Sequence, residues 1–229
     1  MDFLNALILL LNYIFVPALA YGSQLAIGAI FVTLIYGILR FANFATGDMM
    51  SFGTMVAILF TWYFQSLSLS FGFLPTALLA IPFAILFMGL YMLIIDKFVF
   101  KYYRLNKSPP VQLAMVSIGV MFVTQAVVRI IIGPSDRRFF DGEKFLIRAN
   151  EFKEMTGLNE GLAIKSTQVI TIVVTIILVS TLFWFLNKTK TGKSMRAYSD
   201  NEDLALLSGI DPKKIVMITW MIAAILATI

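Results

Sequence analysis

Neither cysteine nor histidine occurs anywhere in this chain of 229 residues. Their absence removes thiol chemistry, disulfides, Cys/His metal sites and every arrangement in which a nucleophile leans on an imidazole. Charge is scarce as well: 14% of residues carry it, against about 25% in an average soluble protein. The Asp and Glu residues that could form an all-carboxylate metal site lie almost entirely between apolar runs, so no metal or cofactor is expected. What fills the sequence is hydrophobic, at 59% of residues and a mean hydropathy of +0.87. That is the composition of an integral membrane protein. The formal charge of +5 does not point to nucleic acid, because the basic residues cluster beside apolar segments and no soluble domain presents a basic face.

A helix needs about 20 apolar residues to cross the hydrocarbon core. Seven runs approach that length, over residues 3–20, 22–39, 49–65, 74–98, 111–132, 167–186 and 215–229. They predict an all-α fold, a polytopic transmembrane helix bundle forming one domain over 1–229. The start, Met1-Asp2-Phe3-Leu4-Asn5, lacks the positive charge and cleavage site of a signal peptide and reads as part of a retained first span. Lys and Arg in short loops stay on the cytoplasmic side. Lys101, Arg104 and Lys107 in the 98–110 connector therefore face the cytoplasm, as do Lys188, Lys190, Lys193, Arg196, Lys213 and Lys214 in the 187–214 loop. Counting back places Arg40 and the N-terminus on that side too. The 133–166 segment, nearly balanced in charge, becomes the external loop; Gly133-Pro134-Ser135 stops the helix before it, and Phe139, Phe140, Phe145 and Ile147 are expected at the bilayer surface. It reads either as a solvated connector or as a contact for an external partner.

Two polar islands interrupt the apolar chain. In the first, Asn43-Phe44-Ala45-Thr46-Gly47-Asp48, a helix ends near Arg40 and another begins near Thr46 or Asp48, either of which is a good N-cap. Such a break offers free amides to an anionic group if it lines a pathway, or it is simply a tight turn. Small residues at Gly47 and Ser51, and at Gly53 and Ala57, have the spacing that lets membrane helices approach closely, and predict a central place for the 49–65 helix. In the second island, Ser199 and Glu202 have capping-box spacing, Gly209 is a natural stop, and Asp211-Pro212 is a fresh N-cap with Pro at the first helical position. A short helix over about 200–208 follows. Its Leu204, Ala205, Leu207 and Ile210 need either a partner's groove or the headgroup layer of membrane lipid.

At these islands the sequence resembles permease subunits of the branched-chain amino acid ABC importers, in Tyr36-Gly37-Ile38 followed by Asn43-Phe44-Ala45-Thr46-Gly47. Thr46 and Asp48 stand where family members commonly carry His and Glu. The cytoplasmic loop is similar too, through Thr191-Gly192-Lys193, Met195-Arg196-Ala197 and the stretch from Asp200 to Gly209-Ile210. ABC importers in general couple through Glu-Ala-Ala-x-x-x-Gly; Asp203-Leu204-Ala205 and Gly209 keep its Ala-to-Gly interval while replacing the first two residues. Tyr102-Tyr103-Arg104-Leu105 and the Gln125–Gly133 helix end fit the same likeness, which covers nearly the whole chain. Relatives usually continue with further spans, whereas this chain halts at Ile229 inside its last apolar run, so a C-terminally truncated sequence is expected.

The resemblance implies a permease subunit in the cell's inner membrane, carrying branched-chain or related amino acids. Its implied partners are a homologous permease, cytoplasmic ABC ATPase subunits and an external or periplasmic substrate-binding protein. ATP hydrolysis belongs to another polypeptide, since no Gly-x-x-x-x-Gly-Lys-Ser/Thr loop occurs, and the chain is not expected to be an enzyme. Asn43, Phe44, Thr46, Gly47 and Asp48 are the candidate pathway residues. Asn201, Glu202, Asp203, Ala205, Gly209 and Ile210 are the candidate ATPase contacts. A urea or short-amide importer is the near alternative. A secondary transporter or channel is the distant one, disfavoured by the few ionisable groups within the spans.

Overall fold

The computed structural model describes residues 2–68, 75–135, 137 and 145–229. Its first stretch is helix α1 (Asp2–Leu10), a π-helical turn (Leu11–Phe15) and α2 (Val16–Leu39), joined without a break. Pro17 accounts for the turn: it has no N–H and its ring crowds the carbonyl four residues back, so the helix widens there instead of ending. Tyr21 to Gln24 lie inside α2, where the Ser23 hydroxyl donates to the Leu19 carbonyl at 2.7 Å. The expected division into runs 3–20 and 22–39 is not present, and the count of seven separate segments is not confirmed among the described residues. Among the described residues, four stretches are long and apolar enough to cross a membrane: Phe3–Leu39, Ala77–Leu105, Pro110–Ile132 and Ser166–Lys188. The all-α polytopic bundle itself stands.

The second of those stretches is α4 (Ala77–Ile95), a π turn (Asp96–Phe100) and α5 (Lys101–Leu105). The predicted 98–110 connector is therefore helical to Leu105, and only the turn before Pro110 connects. Pro110 opens α6 (Pro110–Ile132), and Gly133, at φ +91°, closes it by donating its N–H to the Arg129 carbonyl. Beyond lie strand β1 (Phe145–Ile147), α7 (Ala149–Thr156) and β2 (Ile164–Lys165), the strands pairing antiparallel. Phe145 and Ile147 are half-buried in β1; Phe139 and Phe140 lie outside the described residues. Then come α8 (Ser166–Lys188), α9 (Lys190–Asp200), α10 (Glu202–Leu207) and α11 (Pro212–Thr228).

Two helices outside the set of four, α3 (Thr46–Ser66) and α11, pack among the others. Helix α3 packs on α4, α6 and α11, and α11 packs on α4, α2 and α3. A helix shielded from lipid by its neighbours can carry Thr, Ser and Gly that a lipid-facing one would not. At Gly53 an added Cβ would lie 2.9 Å from the Ala227 carbonyl oxygen and 3.3 Å from Thr228 Cα. The predicted central packing of α3 thus rests on this backbone approach to α11. Trp220, Phe31, Phe41, Phe100, Ile35, Met49, Met88 and Met92 are among the largest fully buried side chains.

Helices α2 and α8 lie side by side, and their ends fix which segments share an end of the bundle. The Ala163 N–H, just before α8, donates to Asn12 Oδ1 at 3.3 Å. At the far end, Arg40 reaches the last residues of α9. The N-terminus therefore shares an end with the 133–166 segment and lies opposite 187–214. This corrects the expectation that the N-terminus and 187–214 face the same compartment, which had depended on two spans before Arg40.

Candidate functional site

The first island is a turn at the end of α2. Arg40 adopts φ +55°, ψ +30° and its N–H still bonds to the Tyr36 carbonyl at 3.0 Å, terminating the helix. Asn43 is buried; its Oδ1 accepts from the Ala45 N–H at 3.0 Å, and its Nδ2 lies 3.8 Å from Met49 Sδ. The Thr46 hydroxyl turns back to the Asn43 carbonyl at 3.0 Å, and the Phe44 N–H donates to Ser117 Oγ of α6 at 2.9 Å. Helix α3 begins after Ala45 with no side-chain cap. Neither Thr46 nor Asp48 takes the predicted capping role, because the Asn43 side chain organises the turn from outside the helix. Phe44 and Gly47 are exposed, Thr46 and Asp48 half-buried.

From Gly47 an exposed small polar stripe continues up α3 through Ser51 and Thr54, at helical spacing. Ser51 and Thr54 help to line a cleft of about 450 Å³ between α3 and α6, which extends to Ser135 and Arg137. Their hydroxyls bond to the Gly47 and Met50 carbonyls, at 3.2 and 3.0 Å, so they expose polarity without breaking the helix. The sequence marks Ser51 only as part of a packing motif and does not mark Thr54; the i, i+4, i+7 spacing from Gly47 is the signal that joins them.

The second island contains a helix that the sequence reading did not find. Helix α9 runs to Asp200, so Ser199 lies within it, and Asn201 caps α10 by accepting the Leu204 N–H at 3.0 Å. The predicted Ser199 cap is corrected: its hydroxyl instead donates to the Gly37 carbonyl of α2. The predicted stop is present. Gly209, at φ +79°, donates to the Leu206 carbonyl at 3.0 Å and Ile210 to the Ala205 carbonyl at 3.1 Å, the paired bonds of a Schellman close. Asp211 caps α11, accepting from the Lys213 N–H at 2.9 Å, with Pro212 at the first helical position.

These bonds bring the islands together. The Arg40 guanidinium donates to the Ser199 carbonyl and, at 2.7 Å, to the Asp200 carbonyl. Carbonyls at a helix C-terminus carry partial negative charge and lack intrahelical donors, so a guanidinium both satisfies and neutralises them. Helix α10 turns Ala205 inward, at 3% exposure, and half-buries Ile210. Leu204 and Leu207 stay out, at 60% and 85%, beside exposed Asn201, Glu202, Asp203 and Gly209. Of the apolar four, this chain covers two. The Tyr198 hydroxyl donates to Glu202 Oε1 at 2.9 Å; burial first, then that bond and the Glu202 charge, hold the phenol well above its ordinary range, with Arg104 and Arg40 opposing.

Behind the joint sits a half-buried polar knot that the sequence did not reveal. Asp96, in the second π turn, accepts two bonds from Arg104, at 2.7 and 2.9 Å, and a third from Trp220 Nε1 at 2.7 Å. Trp220 stacks on Phe100 at 5.7 Å, and Phe100 meets Phe41 at 5.1 Å. The span through Asp96, the middle of α11 and the turn after α2 thus share one aromatic cluster. No group of three or more potential metal ligands occurs among the described residues.

The chain is similar in sequence to known permease proteins. High-affinity branched-chain amino acid transport system permease protein LivH of Escherichia coli K12 is 25% identical over 212 residues, covering 91% of this chain and 65% of the relative. BraD of Pseudomonas aeruginosa, a permease protein with the same description, is 24% identical over 93% of this chain and 67% of its own length. A probable branched-chain amino acid transport permease protein LivH of Methanocaldococcus jannaschii is 26% identical over 92% of this chain and 62% of the relative. The chain thus spans about 65% of the length of the first of these relatives. No solved structure matches. A family model described as "Branched-chain amino acid transport system / permease component" matches residues 14–229, so the chain belongs to that permease family.

Proposed function

We propose that this chain is a membrane-spanning subunit of an ATP-binding-cassette importer and forms part of the pathway for branched-chain or related amino acids. It works with a homologous permease, cytoplasmic ATPase subunits that hydrolyse ATP, and an external substrate-binding protein; 187–214 faces the cytoplasm and 133–166 the outside. The observation that carries this reading is the junction of the two islands. Helix α10 presents Leu204 and Leu207 outward, while the adjoining end of α9 is tied through Arg40 to the turn from which α3 starts. Movement imposed on α9 and α10 by a partner is transmitted to the base of α3, whose exposed Gly47, Ser51 and Thr54 stripe lines the route. Asn43 shapes the turn; Phe44, Thr46, Gly47 and Asp48 form the mouth. Asn201, Glu202, Asp203 and Gly209 take the ATPase contact with Leu204 and Leu207, and Ala205 and Ile210 seat α10 on the bundle.

The absence of cysteine supplies the test, because Leu207→Cys is a unique attachment point. In cells, a photoreactive group there captures an ATPase subunit, and the yield changes with ATP. Capture of lipid alone overturns the coupling role. Uptake of leucine, with urea as the competing cargo, tests the substrate in the same cells.

A further inference from the structure

Between the end of the Ala77–Leu105 stretch and the start of α11 lies a cleft of about 390 Å³. Its floor includes Leu93, Val216 and Met217, and its rim includes Lys97, Lys101 and Lys213, three exposed cations from two helices. The acids on the same wall are Asp96 and Glu202. Asp96 is held by both Arg104 nitrogens and by Trp220, which leaves the lysines facing one carboxylate, Glu202, already bonded to Tyr198. The ion pair found among the described residues is Arg104–Asp96, and none of the three lysines takes part in it.

Both walls are the ends of helices in the membrane bundle, so the cleft lies where hydrocarbon gives way to headgroups. An apolar floor under a cationic rim at that depth matches a molecule with a phosphate and attached acyl chains. We propose that the cleft binds the headgroup of an anionic phospholipid, its acyl chains descending past Leu93 and Met217. Glu202 and Tyr198 line the same cleft, so a bound lipid touches α9 and α10 and holds them against the start of α11. The inference depends on the chain lying in a membrane, and not on the proposed cargo or ATPase.

The test uses the full chain in nanodiscs of phosphatidylcholine, with or without phosphatidylglycerol. Phosphatidylglycerol should raise the melting temperature by several degrees, and native mass spectrometry should find at least tenfold more of it retained by the wild type than by Lys97→Gln/Lys101→Gln/Lys213→Gln. Equal retention by the variant overturns the site. If inorganic phosphate reproduces the stabilisation in phosphatidylcholine alone, the cleft takes a soluble anion and the lipid assignment fails. If acylation of Lys101 and Lys213 is blocked by ATPase subunits and not by phosphatidylglycerol, the cleft is a protein contact and the assignment likewise fails.

Discussion

Arg40 joins two segments that are remote in sequence, and its chemistry makes the joint specific. A planar guanidinium reaches two successive carbonyls at once, which a lysine ammonium on a flexible stem does not reproduce. Arg40→Ala is therefore expected to leave the protein in the membrane and ATP hydrolysis running while uptake falls at least tenfold; a parallel fall in both rates would make the residue merely structural. Arg40→Lys should recover only part of the uptake. At the knot, Trp220→Phe keeps the ring stack on Phe100 but removes a hydrogen bond to a charged acceptor, a loss of about 2 kcal/mol. Thermal unfolding in detergent measures it, and Trp220→Ala should cost more because it adds a cavity. Tyr198 holds its proton more tightly folded than unfolded, so its contribution is fully present below pH about 10. Stability is lost as pH rises above that, and Tyr198→Phe should remove this alkaline component of the unfolding profile.

Elements set by their own residues were legible. Pro212 at a helix start, Asp211 as a cap, and Gly133 and Gly209 as stops are fixed by φ preference and short-range hydrogen bonds, and each stands where the sequence placed it. Elements decided by packing were not. Ser199 and Asn201 both suit a cap; α9 extends to Asp200 because Met195 and Tyr198 are buried against the bundle, and that passes the cap to Asn201. The Asp96–Trp220 bond spans 124 positions and has no local signature. Helix α3 gives the sharpest test at this scale. Gly53→Val forces side-chain atoms into the α11 backbone and should cost about 1–3 kcal/mol by overpacking, visible as a lower melting temperature. Gly47→Ala meets no atom within 4 Å, so stability should hold, and any defect confined to uptake would assign Gly47 to the pathway.

The whole molecule has two ends, and the assignment of segments to them is open to direct test. In this cysteine-free chain, Phe3→Cys, Met155→Cys and Leu207→Cys each carry a lone thiol at an exposed position. A membrane-impermeant maleimide should label the first two from one side and the third from the other; common labelling of Phe3→Cys and Leu207→Cys would restore two spans before Arg40. The uninterrupted helix has a further result for how the molecule sits. Its 37 residues reach about 56 Å at 1.5 Å each, while the hydrocarbon layer is about 30 Å thick. Even a 40° lean lengthens the crossing to only about 39 Å, so a stretch about as long as α1 with its π turn finds no room in the oily interior. With Arg40 anchored at the opposite end, the surplus falls ahead of Pro17, where exposed Phe3, Tyr13 and Phe15 are suited to floating at the boundary between lipid and water.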